Sequence, residues 1–308
     1  MQRVSKQANQ EAKHLHDVAE EKSKRCGRSE GTVVKGMDMM KIDDEATMVN
    51  SLERPTDAKT NGLFYLEREN RVLIQNYGPE LYEACRSMEC KSEIPPNFIN
   101  RHKVDGSVRT KMIDWMIEVL HVSESDKSTF FLSVHILDLF LFKTKTVLTN
   151  SDIHLIGVTC LYIASKMEDI IPLRMSTVKY RIGHGKFLEK DYKNCEKVIL
   201  ETLNFDLVAT SSYDFVKTFI FDFCHNNHRS IKALKMSRHI ASFESVCVYL
   251  AKLMCHSEEF SSYKHSLKAL AAIIAAFDIL RSNSKHLGQD GEGFMREWVG
   301  FYLLRLCF

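Results

Sequence analysis

Three stretches in the middle of the chain are apolar around nearly their whole circumference, and they govern how the rest must be arranged. Arg109 to Leu120 reads RTKMIDWMIEVL. Met112, Trp115, Met116 and Val119 follow the i, i+3, i+4, i+7 spacing of a helix, and Lys111, Asp114 and Glu118 leave only a narrow polar stripe. Thr129 to Phe142 is apolar except for Ser133, His135, Asp138 and its ends. The third stretch opens with Thr149-Asn150-Ser151-Asp152, a T-x-x-D capping box, runs through IHLIGVTCLYIASK and stops before Pro172. Gly157, Ala164 and Ser165 keep it thin. A helix that is apolar all round must be covered all round. The third helix is therefore expected to form the axis of a bundle, with the others packed about it.

Downstream the pattern continues. A short segment covers Ser176–Tyr180, and Leu188–Leu203 is helical with Tyr192, Cys195, Ile199 and Leu203 on one face. After the turn Phe205–Thr210, Ser211-Ser212-Tyr213-Asp214 opens a capped helix to Cys224. Ile231–Met254 and Tyr263–Leu280 follow, the latter containing ALAAIIAAFDIL, again small and apolar on all sides. Two thin helices in similar positions suggest two similar helical units. Gly (13) and Pro (5) are scarce for 308 residues. Sheets joined by tight turns consume both, so an all-α fold is expected. Upstream, a helix from Tyr77 to Met88 takes Pro79 in its first turn, and Pro95-Pro96 ends it. The first 60 residues hold none of the 30 aromatics and balance 11 basic against 11 acidic side chains. Such a segment cannot bury enough apolar area to offset its ordering entropy. The expected organisation is a disordered tail over 1–62, a first helical unit with its leading helix over 63–207, and a second, incomplete unit over 208–308.

The net charge is +2, which gives no general attraction to nucleic acid or to an anionic membrane. The longest small-apolar run, Ala269–Phe277, is well short of the ~20 residues of a membrane span. The nine cysteines form no CxxC pair, and the N-terminus carries no apolar signal core, so a reduced, intracellular protein is expected. Lys22-Ser23-Lys24-Arg25 reads more readily as a solvated tail than as an import signal. No phosphate loop, HExxH or GxSxG motif is present; GQDGEG at 288–293 follows a helix, not a strand. Cys224-His225-Asn226-Asn227-His228 lacks a second ligand pair at zinc spacing. No metal, cofactor or catalysis is expected, which makes the chain a binding module.

The residues Val108 to Val119 (VRTKMIDWMIEV) resemble the M-R-x-I-L-x-D-W-L-x-E-V signature that opens the box of the cyclin family, in particular its A- and B-type mitotic members. The similarity continues through Leu137-Asp138-Leu139-Phe140-Leu141, through Leu161 to Asp169 (LYIASKMED), and through Glu196 to Leu207. It spans about residues 75–280. The resemblance implies two stacked five-helix units, the second truncated here. It also implies a regulatory subunit that binds and activates a cyclin-dependent kinase in cell-cycle control, in nucleus and cytoplasm. Catalysis would belong to the kinase, whose C helix the cyclin presses inward.

Five widely shared family positions are matched by Arg109, Asp138, Leu155, Lys166 and Glu196. The resemblance assigns the kinase contact to Lys166 and Glu196, with Leu81, Met167, Phe205 and Leu207 as apolar contacts. Arg109 and Asp138 are expected to form a buried ion pair, since each charge lies in a largely apolar helix. The substrate-docking groove falls on Val108, Lys111, Met112, Trp115 and Glu118. It is degenerate: Val108 replaces Met, Lys111 replaces Ile, and the position of a groove Arg falls near Thr149. No R-x-x-L destruction box occurs in the chain. A promoter-binding factor of the same fold would carry a zinc ribbon and basic surfaces, which the cysteines and the charge disfavour. A helical enzyme would need a polar pocket.

Overall fold

The computed structural model describes residues 80–89, 94–226 and 237–283. The tail 1–62, the basic run 22–25, the loop 288–293 and the terminal segment 294–308 lie outside the described residues. So do residues 90–93 and 227–236.

Helix α1 covers 80–89, followed by a 3-10 turn Phe98–Arg101. The first unit is α2 (Gly106–Val122), α3 (Lys127–Lys143), α4 (Asn150–Glu168), a π-helical turn Thr177–Ile182 and α5 (Glu189–Thr202). The second comprises α6 (Ser212–Asn226), α7 (Ser237–Met254), a 3-10 turn Glu258–Ser262 and α8 (His265–Asn283). No strand occurs among the described residues; the one extended contact is a bridge between Lys103 and Thr149.

The helix starts follow from the local chemistry anticipated above. The Asp152 carboxylate accepts from the Thr149 backbone N–H at 2.8 Å and from its hydroxyl at 2.8 Å. Asp214 holds Ser211 in the same manner, at 2.9 and 2.8 Å. Asp191 accepts from the Leu188 N–H at 2.8 Å, so α5 begins after Leu188. Each bond occupies a polar group that the helix end would otherwise leave unpaired.

Helix α4 is the axis of the first unit, lying against α2, α3, α5 and the π turn. Its thinness has a direct cause. A Cβ at Gly157 would fall within 2.4–2.7 Å of the Met112 side chain, so α2 rests its methionine on the bare backbone of α4. In the second unit α6, α7 and α8 pack mutually. Helix α8 is not buried all round as its composition suggests: Leu267 and Ile279 are exposed, and only the face of Ala269, Ala272, Ile273 and Ala276 enters the core.

Arg109 joins the two units. Its Nε and Nη2 donate to Asp138 Oδ1 and Oδ2 at 2.7 and 2.6 Å, and both side chains are buried. Its Nη1 donates to the carbonyls of Cys255 and His256 at 3.0 and 3.2 Å, just past the end of α7. His256 Nε2 lies 2.6 Å from Asp114 Oδ1 on α2. Tyr213 on α6 stacks on Phe131 of α3 at 5.7 Å. Helix α1 is attached to the second unit. Tyr82 meets Phe215 and Phe219, and Glu89 accepts from the Ser266 N–H and hydroxyl at the start of α8.

Asp138→Ala should therefore cost about 3–5 kcal/mol, because it leaves a buried guanidinium without its counter-charge. A drop in melting temperature of roughly 10 °C is expected; an unchanged melting curve would mean that the pair does not hold the seam.

Acid should destabilise the fold through its buried histidines; burial lowers His265 well below its ordinary value and lowers His102 as well. Burial pushes His135 down to about 4, with Asp138 and Asp206 opposing and Lys268 and Lys143 adding to the effect. His154 is pushed to about 4 by burial and then by Lys186 and His184. An unfolded histidine binds its proton near pH 6.5. Between pH 6.5 and 4 the unfolded chain carries protons that the folded one refuses, so stability falls as pH falls through that window. The loss is about 2 kcal/mol per histidine at pH 5. Urea midpoints at pH 7 and pH 5 measure it, and His135→Gln should flatten the slope.

Candidate functional site

The end of α4 and the middle of α5 form one rim of the first unit. Lys166, in the last turn of α4, and Glu196, on α5, point toward each other and form an ion pair. The Lys166 ammonium also sits 4.3 Å over the Tyr162 ring. Two charges thirty positions apart thus emerge together, part-exposed, and bonded to each other before any partner arrives.

What fixes this rim is Asp169, which caps the end of α4. Its Oδ1 accepts from the Thr129 hydroxyl at 2.7 Å and the Asp126 N–H at 2.9 Å, and its Oδ2 from the Ser165 hydroxyl at 2.6 Å. The Ser165 oxygen in turn accepts from Leu173 N–H at 2.9 Å. One carboxylate therefore ties the end of α4 to the start of α3 and to the following loop. The loop residues Ile170 and Ile171 are held outward, Ile170 fully exposed.

Met167 is 54% and Phe205 69% exposed, and Leu81 on α1 is exposed as well. Val208 adds a further exposed apolar side chain. Leu207 does not belong with them. It is 6% exposed and part of the core, which corrects its reading as a surface contact: the turn after α5 directs Phe205 and Val208 outward and Leu207 inward. That turn is strained, since Asn204 and Phe205 have φ of 53° and 58°. A bulky residue in the left-handed region costs about 1–3 kcal/mol. The sequence reading missed Ile170, Ile171 and Val208. The available signal was two adjacent isoleucines between a helix end and Pro172, with no periodic face to bury them.

On the opposite side of α4 the residues of the docking groove separate. Lys111 and Glu118 are exposed, and Val108 and Trp115 are partly buried. Met112 is buried at 6% over Gly157, so it is a core residue and cannot line an open groove, a second correction. Thr149 is the cap of α4. His154, absent from the sequence reading, meets the Trp115 ring at 5.6 Å and Phe187 at 6.0 Å. Burial and the nearby cations keep it neutral.

Between the two units lies a cavity of about 80 Å³, lined in part by Arg109, His135, Asp138, Thr210 and Lys268. That is room for a few waters and well below the ~300–1,000 Å³ of small-molecule sites. Both Asp138 oxygens are taken by Arg109. Cys224 is buried in the core and its thiol is pushed up to about 12 by burial, unlike a ready metal ligand.

The family model described as cyclin, N-terminal domain, matches residues 80–208. Among curated proteins, the G2/mitotic-specific cyclin-A of Drosophila melanogaster is 29% identical over 154 residues, 50% of this chain and 31% of that protein. Cyclin-B2-1 of Oryza sativa subsp. japonica is 25% identical over 249 residues, 80% of this chain and 55% of its own. The chain thus spans about half the length, or less, of these relatives. A solved viral cyclin from herpesvirus saimiri superposes with a TM-score of 0.53 at 20% identity, covering 73% of this chain and 96% of that one. It shares the fold.

Basic R-x-L peptides should bind the Trp115 groove poorly. Lys111 repels them, and buried Met112 contributes no contact area. Titration by calorimetry should find no tight site, and tight binding that survives Trp115→Ala would place the contact elsewhere.

Proposed function

Since residues 80–208 are a cyclin N-terminal domain and the chain is of the A/B, mitotic type, we propose that it binds a cyclin-dependent protein kinase and activates it, in nucleus and cytoplasm, and has no catalysis of its own. The observation that carries this reading is the rim. A charged pair, Lys166 and Glu196, joins two helices whose C-terminal ends and following turns carry Met167, Ile170, Ile171, Phe205 and Val208, all apolar and exposed. Charges surrounded by apolar side chains that can exclude water are how protein interfaces concentrate affinity. An isolated fold gains nothing by exposing those side chains or by straining the turn at Phe205.

On this reading the pair opens toward main-chain groups of the kinase, and the apolar ring packs against the helix that carries the kinase's ion-pairing Glu. Pushing that helix inward completes the site that holds the ATP phosphates. The kinase supplies the chemistry; this chain supplies a rigid surface.

The test is paired. An exposed ion pair contributes ~0–1 kcal/mol to folding, so Lys166→Ala and Glu196→Ala should leave the melting temperature almost unchanged. In the complex, losing one partner of a desolvated charged bond costs about 2–5 kcal/mol, or some 30-fold or more in affinity. Both variants should abolish activation of the co-purified kinase while circular dichroism stays that of the parent chain. Full activation by the double variant would remove Lys166 and Glu196 from the interface.

A further inference from the structure

A local excess of positive charge lies on the loop from the π turn into α5. From Thr177 to Lys190 there are four Lys/Arg side chains, Lys179, Arg181, Lys186 and Lys190, together with His184, against a single carboxylate, Glu189. Glu189 is already taken by Lys193 at 2.7 Å. The next one, Asp191, is buried and accepts from Leu188 N–H. The loop curls back on itself: Gly185 N–H donates to the Lys179 carbonyl at 2.7 Å, and Lys186 N–H to that of Gly183 at 2.9 Å. The cationic residues are thereby gathered rather than strung out. In a chain of net charge +2, this local excess is a feature of position, not of composition.

The loop adjoins an aromatic seam. Phe187 anchors it in the core, His154 lies 6.0 Å from Phe187, and the partly buried Trp115 lies 5.6 Å beyond. Tyr180 and Leu188 on the loop itself are exposed apolar side chains. On α2, which carries Trp115, Glu118 is exposed and Asp114 holds His256. A ligand here meets cations on one flank and apolar rings on the other.

We propose that this surface docks an acidic peptide segment of a partner protein, one whose carboxylates lie among apolar side chains. The cations attract the acidic residues, and Tyr180, Leu188 and the edge of Trp115 receive the apolar ones. A nucleic acid fits less well, because the positive charge is confined to one short loop in a chain of net charge +2. The proposal needs no kinase, so it stands or falls apart from the function proposed above.

The experiment is fluorescence anisotropy on the full chain with a labelled peptide of Glu residues interrupted by Leu and Phe, and with its Lys-for-Glu counterpart. The Glu peptide should bind, and binding should weaken as salt is raised. Combined Arg181→Glu and Lys186→Glu, both at exposed positions and expected to leave the melting curve in place, should weaken it about tenfold or more. No binding at low salt, equal binding of the Lys peptide, or indifference to the charge reversal would overturn the proposal. So would stronger competition by a single-stranded oligonucleotide, which would reassign the surface to nucleic acid. Stronger competition by a peptide of residues 36–48, the acidic methionine-rich part of the chain's own tail, would overturn it in favour of self-docking.

Discussion

The Arg109 guanidinium is the constraint from which the rest of the structure takes its arrangement. A buried cation is tolerable only when its charge and its donors are matched. Asp138 accepts two of those donors and sets α3 against α2. The carbonyls of Cys255 and His256 accept another, and they belong to the turn after α7, where a helix end leaves acceptors unsatisfied. One side chain therefore neutralises a carboxylate in the first unit and occupies a helix end of the second. The seam is reinforced by His256 on Asp114, by the Thr110 hydroxyl donating to the His256 carbonyl at 3.2 Å, and by Lys127 on Glu244 at 3.4 Å. Charges, not only apolar packing, fix how the units meet.

From that frame the rim inherits its rigidity. Helix α3, held by Asp138, presents Thr129 and the preceding Asp126 N–H to Asp169. Asp169 in turn fixes where α4 stops. The distance from Arg109 to Lys166 is thus spanned by hydrogen-bonded helices and not by a hinge. On the proposed function, a surface that presses on a partner's helix would benefit from such stiffness, because little ordering entropy would remain to be lost on binding.

The parts that sequence reasoning reached are those where physical chemistry leaves few choices. Two charges in apolar helices must find each other, and Arg109 and Asp138 do. T-x-x-D and S-x-x-D openings must cap, and Asp152 and Asp214 do. A thin, all-round apolar helix must be an axis, and α4 is. The failures are equally specific. Resemblance places Leu207 among the partner contacts with core packing an equal alternative, and the structure buries it, because a family match does not say which of two apolar neighbours in a turn goes inward. Met112 was assigned to a groove because no pattern reveals that Gly157 receives it. The Asp169 latch joins residues some forty positions apart through side chains that look like ordinary loop polarity. Helix α8 was read as buried all round from its alanines, yet small side chains permit burial without requiring it.

The rim's oddities share one explanation only if they are considered together. Ile170 and Ile171 gain nothing in water, since apolar surface left exposed forfeits about 25 cal/mol per Å² of burial. The left-handed backbone at Asn204 and Phe205 adds strain, held in place by the Phe205 N–H donating to the Leu200 carbonyl at 2.9 Å. The Lys166–Glu196 pair, half in solvent, returns little stability of its own. Each is a local cost, and all lie at the ends of two adjacent helices that the latch and the seam hold firm. A chain whose core is otherwise well ordered concentrates its unfavourable choices on one surface when that surface is completed by another molecule. On the proposed function such a partner would bury the exposed isoleucines and Phe205, and the charge pair, already desolvated on one side by Tyr162, would turn its remaining hydrogen-bonding capacity outward. The same argument separates this rim from the basic loop across the unit. The loop is charged and hydrated and costs the isolated fold almost nothing, so it suits a weaker, salt-sensitive contact and not a permanent one.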